Sequence, residues 1–168
     1  DDELRRLPDD LAGLPPAFDP DGTVTGSTIA PAVDGVSALL VGAGAPGHAP
    51  VAEILGVGRS AGEPLDPTGN LTQAAALALA ADEGGIGAVA AWEITEPTAA
   101  ATLLAVDRLG LDQALVNRHG GTLAVGDAGA AEELRLVVDG LARLGPGEQL
   151  AAVSMGPTGA AVTLVGRP

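Results

Sequence analysis

The chain has 168 residues, enough for one compact domain, and its one Trp, one Phe and no Tyr predict a core of small aliphatic side chains. All 8 basic residues are Arg, and the net charge of -14 argues against nucleic acid, whose binding requires phosphate neutralisation. Because the chain lacks cysteine, a basic leader and an apolar run of the roughly 20 residues that a membrane-spanning helix needs, we expect a cytoplasmic protein without membrane contact.

The predicted elements begin after a polar lead-in. Residues 1–20 contain prolines at positions 8, 15, 16 and 20, which is typical of a surface segment. Two short apolar runs, Val36–Val41 and Val51–Val57, predict strands. Only the stretch 42–50, rich in glycine and proline, lies between them, so we expect no helix there. Thr68–Glu83 then predicts a helix that is apolar on several sides and ends at a glycine pair.

The second half of the chain alternates strands and helices. Ala88–Trp92 predicts a strand, and Thr98–Leu109 predicts a helix rich in Ala and Leu, without a polar face, ended by Gly110. Leu150–Ser154 and Ala160–Val165 predict a closing hairpin. This alternation favours an α/β fold with a mostly parallel sheet.

The last predicted helix, Ala128–Leu144, has an amphipathic pattern. The residues expected on its apolar face are Leu134, Val137, Val138, Leu141 and Leu144, and those expected outside that face are Glu132, Glu133 and Asp139. We therefore expect this helix to cover one side of the sheet.

Short motifs follow one another in an order that carries a family resemblance. The longest is Val116–Asp127, with the sequence VNRHGGTLAVGD. It resembles the signature Val-Asn-x-x-Gly-Gly-x-x-Ala-x-Gly-His in the C-terminal half of thiolases, in which Asp127 takes the place of the histidine. The other matching segments are Pro16–Phe18, Asp21–Thr25, Asp34–Gly35, Glu93–Thr98 and Ser154–Gly156.

The resemblance to thiolases covers essentially the whole chain and implies a five-stranded, mostly parallel sheet with helices on both faces. It implies that residues 21–168 form a thiolase-like C-terminal domain, and that residues 1–20 join the two thiolase halves. It also implies an apolar face where the first half would pack. The expected partner is a thiolase-type protein or a separate N-terminal thiolase half, in a homo- or hetero-oligomer.

The positions at which the family places its chemistry are changed. By resemblance, Thr95 replaces an asparagine, Asp127 a histidine and Ser154 a proton-transferring cysteine. Thr28 and Ala30 replace an asparagine and a serine on the side that approaches coenzyme A. We expect no metal and no resident cofactor, and a coenzyme A thioester is the ligand class that the resemblance implies.

Each replacement opposes a chemical role. The family holds an acyl group as a thioester on a cysteine of its first half, and this chain has no cysteine to supply the thiolate. A carboxylate at Asp127 would repel a developing oxyanion. The hydroxyl of Ser154 is too weakly acidic to exchange protons near neutral pH without a base. The pattern predicts a retained fold without the chemistry.

An alternative is a hydrolytic trio of His119, Asp127 and Ser154, whose residue types suit nucleophilic catalysis. No pattern in the sequence brings these three side chains together, and a structural histidine is the simpler interpretation of His119. The other histidine, His48, lies in the glycine- and proline-rich stretch and is interpreted as solvated.

Three functions remain open. The first is a catalytically degenerate thiolase-like subunit that pairs with a thiolase-type partner in acyl-CoA metabolism. The second is an active acyltransferase whose nucleophilic cysteine comes from a partner chain, with Ser154, Asp127 or His119 assisting. The third is a module that holds an acyl-CoA or acyl-carrier thioester. A thiolase fold by itself does not separate them.

Overall fold

The computed structural model describes residues 9–44, 47, 49–62, 67–80 and 82–168, so His48 and residues 1–8 of the lead-in lie outside it. The elements in chain order are β1 (Glu53–Ala61), α1 (Pro67–Ala78), β2 (Val89–Ile94), α2 (Ala99–Leu109), α3 (Thr122–Val125), α4 (Ala130–Arg143), β3 (Gln149–Gly156) and β4 (Gly159–Gly166). Short 3-10 turns lie at Gly26–Thr28, Gly85–Ala88 and Gln113–Leu115.

The strands form a sheet in the order β1-β4-β3-β2. Strands β2 and β3 are parallel, whereas β4 is antiparallel to both β3 and β1. The expected α/β class is confirmed, and the expected hairpin is the β3–β4 pair. The sheet is mixed and has four strands in the described part of the chain, where five mostly parallel strands were expected.

A single parallel bridge, between Val116 and Trp92, lies where a fifth strand would extend the sheet beyond β2. The Asn117 N–H donates to the Trp92 carbonyl at 2.8 Å, which continues the pairing by one bond. Asn117 then turns into the left-handed region, with φ of 44°. Because a ladder cannot continue through that conformation, pairing stops after one residue.

Helices cover both faces of the sheet, as expected. The larger core packs α1 and α2 against alternate strand residues, among them Trp92, Val153 and Val162. A smaller cluster on the opposite face joins Leu150 and Val165 to the end of α4 at Leu144. The alternation of Leu150 and Val153 between the two clusters follows from the period of two of a strand.

Small residues bring α1 very close to β1. A Cβ at Gly58 would lie 1.8 Å from the Ala74 carbonyl oxygen, and one at Gly56 would lie 2.0 Å from the Ala78 carbonyl oxygen. Only glycine permits this approach of helix and strand backbones. Close packing of small residues therefore replaces large aromatic side chains in this part of the core.

The predicted strand Val36–Val41 is wrong as an element of this sheet. The segment has no strand partner in the described chain, and most of its apolar side chains are exposed. The second predicted strand, Val51–Val57, is shifted, since β1 begins at Glu53 and ends at Ala61. Parallel pairing of the two runs would need a crossover of about a dozen residues or more, and only residues 42–50 lie between them.

The helices agree more closely with expectation. The helix α2 is capped by the Thr98 hydroxyl, which accepts from Ala101 N at 3.2 Å, and ends at Gly110 with φ of 64°. Its exposed side carries Leu103 and Leu104, but also Asp107 and Arg108, so the expected absence of a polar face is only partly correct.

The faces of α4 differ from the expected pattern. Glu132 was placed outside the apolar face but is only 2% exposed, while Leu134 and Val138 are exposed. Leu136 is the residue of this helix that is buried in the apolar interior. A buried ion pair, described below, accounts for the burial of Glu132. No helix in the described part of the chain is long and apolar enough to cross a membrane.

Candidate functional site

The carboxyl ends of the parallel strands β2 and β3 place two of the predicted site residues side by side. Thr95 follows β2 directly, and its N–H donates to the Val153 carbonyl at 2.9 Å. Its Oγ1 accepts a hydrogen bond of 3.0 Å from Met155 N, the residue after Ser154. Ligands of α/β proteins bind at this edge of a sheet, which makes it the candidate site.

Ser154 is paired with a residue that the sequence did not connect to it. Its Oγ donates to Glu133 Oε1 at 2.6 Å, across to the first turn of α4. The position of Glu133 in this turn is favoured by the helix dipole. The pairing was missed because Glu133 lies 21 residues away in the chain, and nothing in its sequence context distinguishes it from a solvated charge.

Asp127 closes a turn. Its Oδ1 accepts from Gly129 N at 2.8 Å, just before α4 begins. Its own N–H donates to the Pro31 carbonyl at 2.7 Å, and its carbonyl accepts from Val33 N at 3.0 Å. Asp127 therefore fixes the start of α4 and clamps residues 31–33 beside it.

The clamp brings the upstream motif to the same end of the sheet. Thr28 Oγ1 donates to the Thr25 carbonyl at 3.0 Å and accepts from Thr25 N at 3.1 Å, so this side chain closes its own 3-10 turn. Ala30 N donates to the Pro97 carbonyl at 3.3 Å, two residues beyond Thr95. The structure thus gathers the Thr28–Ala30 segment, Thr95 and Asp127 into one region.

His119 is exposed, which does not agree with the structural role expected for it. It sits in the turn closed by the bond of 3.0 Å from Gly120 N to the Asn117 carbonyl. Among the described residues, no hydrogen bond joins any two of His119, Asp127 and Ser154. The hydroxyl of Ser154 is committed to Glu133 and one carboxylate oxygen of Asp127 to Gly129.

The loop that carries the glycine pair is locked to the end of β2. Asn117 Oδ1 accepts from Ile94 N at 2.7 Å, and Asn117 Nδ2 donates to the Ile94 carbonyl at 3.0 Å. Glu96 Oε2 accepts from Leu123 N at 3.1 Å. A Cβ at Gly121 would lie 2.1 Å from Glu96 Oε2, so a side chain here would displace the carboxylate that binds Leu123 N. The glycine and asparagine of the motif serve loop closure here.

Beneath this loop lies a buried network of polar side chains. Thr122 Oγ1 accepts from Glu96 N at 3.2 Å and donates to Glu132 Oε1 at 2.9 Å. Glu132 in turn forms an ion pair with Arg135, which also binds Asp139. Burial of Glu132 is possible because its charge is paired and hydrogen-bonded. The spacing of Glu132, Arg135 and Asp139 by three and four residues was the sequence signal for this network.

Glu93 is a second buried carboxyl on the α4 side of the sheet. It is 4% exposed, and a Cβ at Gly140 of α4 would lie 3.2 Å from its Cγ. Burial raises the pKa of Glu93 to about 7; Arg135 opposes this shift and Asp139 adds to it. From the sequence, Glu93 was identified only as the first residue of a motif.

A cleft of about 330 Å³ lies beside the glycine-pair loop, between it and α2. Its lining includes Glu96, Asn117 and Gly121 from the loop region and Thr102, Leu103 and Val106 from α2. The predicted residues Thr95, Asp127 and Ser154 do not line it. The cleft therefore does not bring Thr95, Asp127 and Ser154 into one pocket.

No family model matches the chain. The acetyl-CoA acetyltransferase of Yarrowia lipolytica is 32% identical over 161 residues, which are 92% of this chain and 40% of that protein. Acat5 thiolase from Ascaris suum, solved in complex with coenzyme A, superposes with a TM-score of 0.85 and 27% identity over 98% of this chain and 45% of its own.

The dimeric peroxisomal thiolase of Saccharomyces cerevisiae shares the fold, with a TM-score of 0.76 and 21% identity over 99% of this chain and 45% of that one. That enzyme is described as five layers, α-β-α-β-α, built from two core domains of identical topology. The chain spans 40% of the length of its Yarrowia relative. By sequence and by fold, the chain belongs to the thiolase superfamily and fits the C-terminal half of a thiolase.

Proposed function

We propose that this chain is a catalytically degenerate thiolase-like subunit, which pairs with a thiolase-type protein or an N-terminal thiolase half in acyl-CoA metabolism. The proposal rests on the hydrogen bonds made by the side chains at the three replaced positions. The Thr95 hydroxyl accepts from Met155 N, the Asp127 carboxylate accepts from Gly129 N, and the Ser154 hydroxyl donates to Glu133. Because these three polar groups are engaged in hydrogen bonds that stabilise the fold, they support a chain that keeps the thiolase fold without the family's chemistry.

The chemistry of the site supports the same proposal. Thiolase chemistry needs a thiolate to hold the acyl group, and the chain has no cysteine. It also needs hydrogen-bond donors aimed at a developing oxyanion. Asp127 and Glu133 bring carboxylates to this end of the sheet, and a negative charge there raises the energy of such an oxyanion.

Coenzyme A does not suit this end of the sheet. Its phosphates favour cationic or amide-rich surroundings, whereas the side chains gathered here include the carboxylates of Glu96, Asp127 and Glu133, in a chain of net charge -14. We assign phosphate contacts to the partner and derive no catalytic step through coenzyme A for this chain.

Exposed apolar surface supports the pairing. Leu103 and Leu104 of α2 are exposed, and so are Val36 and Leu40 in the segment before β1. Apolar patches of this kind mark association surfaces. In this proposal residues 21–168 are the thiolase-like domain, and residues 1–20 are the segment that joins the two thiolase halves.

A second candidate function rests on the Ser154–Glu133 contact. In an acyltransferase whose cysteine is supplied by a partner chain, Ser154 would need a base to exchange a proton. Glu133 accepts its hydrogen bond at 2.6 Å and is such a base by position. Activity of the paired protein that depends on both residues would favour this function over the degenerate subunit.

The experiment is co-expression with the N-terminal half of the Yarrowia acetyltransferase, followed by an assay of acetoacetyl-CoA cleavage. We expect co-purification without activity. Activity that is lost in Ser154→Ala and Glu133→Gln, but kept in the exposed control Thr158→Ala, would establish the acyltransferase instead. Micromolar binding of acetyl-CoA by the chain alone, without co-purification, would establish the thioester-binding module.

A further inference from the structure

One guanidinium on α4, that of Arg135, serves two carboxylates. Its Nε donates to Glu132 Oε2 at 2.8 Å, its Nη2 donates to Glu132 Oε1, and its Nη1 donates to Asp139 Oδ2. A guanidinium carries a single positive charge, whereas each ionised carboxylate carries a negative one. Two negative charges therefore already share the one positive charge of Arg135.

Glu93 brings a third carboxyl group to this cluster from the sheet. Strand side chains alternate, so Glu93 points away from the core that contains Trp92 and towards α4. It is 4% exposed, and the Cβ that Gly140 lacks would lie 3.2 Å from Glu93 Cγ, so the glycine makes room for this side chain. Among the described residues, none donates a hydrogen bond to the Glu93 carboxyl group. A buried carboxyl group without donors of its own favours the neutral form.

The charges that act on Glu93 come from α4 and from the segment after β2. On α4, Arg135 has the largest influence, followed by Asp139 and Arg143, while Glu96 after β2 adds a weaker repulsion. Burial outweighs these charges and raises the pKa of Glu93 to about 7. The charge of Glu93 therefore changes mostly within about one pH unit of that value.

Glu132 connects Arg135 to the glycine-pair loop. Glu132 Oε1 accepts from Thr122 Oγ1 at 2.9 Å, and Thr122 Oγ1 accepts from Glu96 N at 3.2 Å. The Glu96 carboxylate then accepts from Leu123 N at 3.1 Å. Because Thr122 binds Glu132 and Glu96 through the same hydroxyl, a displacement of Glu132 disturbs the contacts that tie the loop to Glu96.

The upstream attachment of the loop is independent of this network. Asn117 binds Ile94 through both polar atoms of its side-chain amide, and its N–H donates to the Trp92 carbonyl at 2.8 Å. None of these contacts involves the carboxylates of α4. Asn117 therefore serves as an internal reference for the downstream part of the loop, residues 120–125.

We propose that ionisation of Glu93 draws Arg135 away from Glu132 and so releases residues 120–125 of the glycine-pair loop. While Glu93 is neutral, Arg135 holds Glu132 against Thr122, and the loop is fixed. Once Glu93 is ionised, a third carboxylate competes for the same guanidinium, and the attraction between opposite charges is strong where water is largely excluded.

The cleft beside α2 is the part of the surface that responds. Gly121 and Leu123 lie within the released residues, and both line this cleft. The switch belongs to the chain by itself, so it does not depend on the proposed function.

Nuclear magnetic resonance of the purified chain tests the proposal. The carboxyl carbon of Glu93 reports its ionisation, the amide protons of Glu96 and Leu123 report the two loop contacts, and amide order parameters report the mobility of residues 120–125. We expect the amide protons to shift with the same midpoint as the Glu93 carbon. The order parameters should fall from about 0.85 to below about 0.6 as the pH rises past this midpoint, while that of Asn117 stays at its initial value.

Two variants separate Glu93 from other titrating groups. Glu93→Gln keeps the shape of the side chain but cannot ionise, so the loop should stay fixed on both sides of the midpoint. His119 lies in the same loop, and histidine side chains change charge between about pH 5 and 8. The matched control His119→Gln should therefore keep the transition unchanged.

Coincident midpoints, with the transition abolished in Glu93→Gln and kept in His119→Gln, support the proposal. It is overturned by a loop transition that persists in Glu93→Gln, by one that is lost in His119→Gln, or by a titration of Glu93 that leaves the signals of Glu96 and Leu123 unmoved. If Glu93→Gln does not fold, the titration of the wild type and of His119→Gln decides. Each of these results leaves the proposed function as it stands.

Discussion

The Ser154 hydroxyl donates a hydrogen bond of 2.6 Å to the Glu133 carboxylate, and this contact joins the carboxyl end of β3 to the first turn of α4. By resemblance, Ser154 stands where thiolases carry a proton-transferring cysteine. The contact gives the serine a structural partner, and it also gives the alternative acyltransferase its only plausible base among the contacts described for Ser154. Substitution of Ser154 and Glu133 therefore distinguishes the degenerate subunit from the acyltransferase.

Replacing Asp127 by histidine should not restore thiolase activity. The substitution returns the family residue at one position, but Thr95 and Ser154 stay changed, and groups that act as a unit contribute non-additively. It also removes the acceptor of the bond from Gly129 N, so the free energy of unfolding should fall by about 1 kcal/mol.

The measurements for Asp127→His are acetoacetyl-CoA cleavage by the paired protein and urea unfolding of the free chain. Asp127→Asn is the matched control, because an amide oxygen can still accept from Gly129 N and stability should be retained. Full activity from Asp127→His alone would show that the remaining site is intact and that the degenerate interpretation is wrong.

Glu93 should make the chain less stable as the pH rises from 4.5 to 7. Burial raises the pKa of Glu93 from 4.5 to about 7, so the folded chain holds this proton more tightly than the unfolded chain. The contribution of Glu93 to stability is complete below pH 4.5 and is lost as the pH passes 7. Its full size is about 3 kcal/mol from the linkage between a pKa shift and stability.

Urea unfolding at several pH values checks this prediction, with Glu93→Gln as the test and the exposed Glu83→Gln as the control. Glu93→Gln should be more stable than the wild type at pH 8, and its advantage should shrink towards pH 4.5. Parallel stability curves for all three proteins across this range would contradict the assignment of a raised pKa to Glu93.

Removing the Thr122 hydroxyl should destabilise the fold. Thr122→Val keeps the shape of a side chain that is 1% exposed, but it deprives buried Glu132 of a donor and Glu96 N of an acceptor. A buried polar group left without its partner costs about 1–3 kcal/mol. The same substitution at exposed Thr23 should change the free energy of unfolding by less than about 0.5 kcal/mol. Urea unfolding measures both variants. Equal losses of stability at Thr122 and Thr23 would show that the buried hydrogen bonds of Thr122 contribute nothing specific to stability.

The free chain should associate in solution. The expected interface lies along the helix Thr98–Leu109 and the sheet face between Val41 and Val51. The exposed apolar side chains there include Leu103, Leu104, Val41 and Val51. Obligate interfaces of this apolar kind bury about 2,000 Å² or more. Sedimentation velocity at micromolar concentration is the measurement, with Leu103→Glu expected to reduce association. A folded monomer that binds no thiolase-type half would rule out the association.

Local patterns determined much of this protein from its sequence. The Thr98 cap predicted the start of α2 to within one residue. Gly110 predicted its last residue, Leu109, correctly. The strand runs and the glycine-containing turn between them predicted the β3–β4 hairpin, because hairpin pairing is local. The order and spacing of the thiolase-like motifs predicted the superfamily, which the sequence and fold comparisons confirm.

Tertiary structure decided which of these residues meet and which patterns fail. Val36–Val41 has the composition of a strand, but a strand needs a partner, and the described chain offers it none. Glu132 and Glu133 are adjacent and alike in sequence, yet one is buried against Thr122 and Arg135 while the other is exposed and binds Ser154. That difference depends on how α4 is rotated over β2 and β3, which is set by contacts between residues far apart in the chain, and no local pattern carries it.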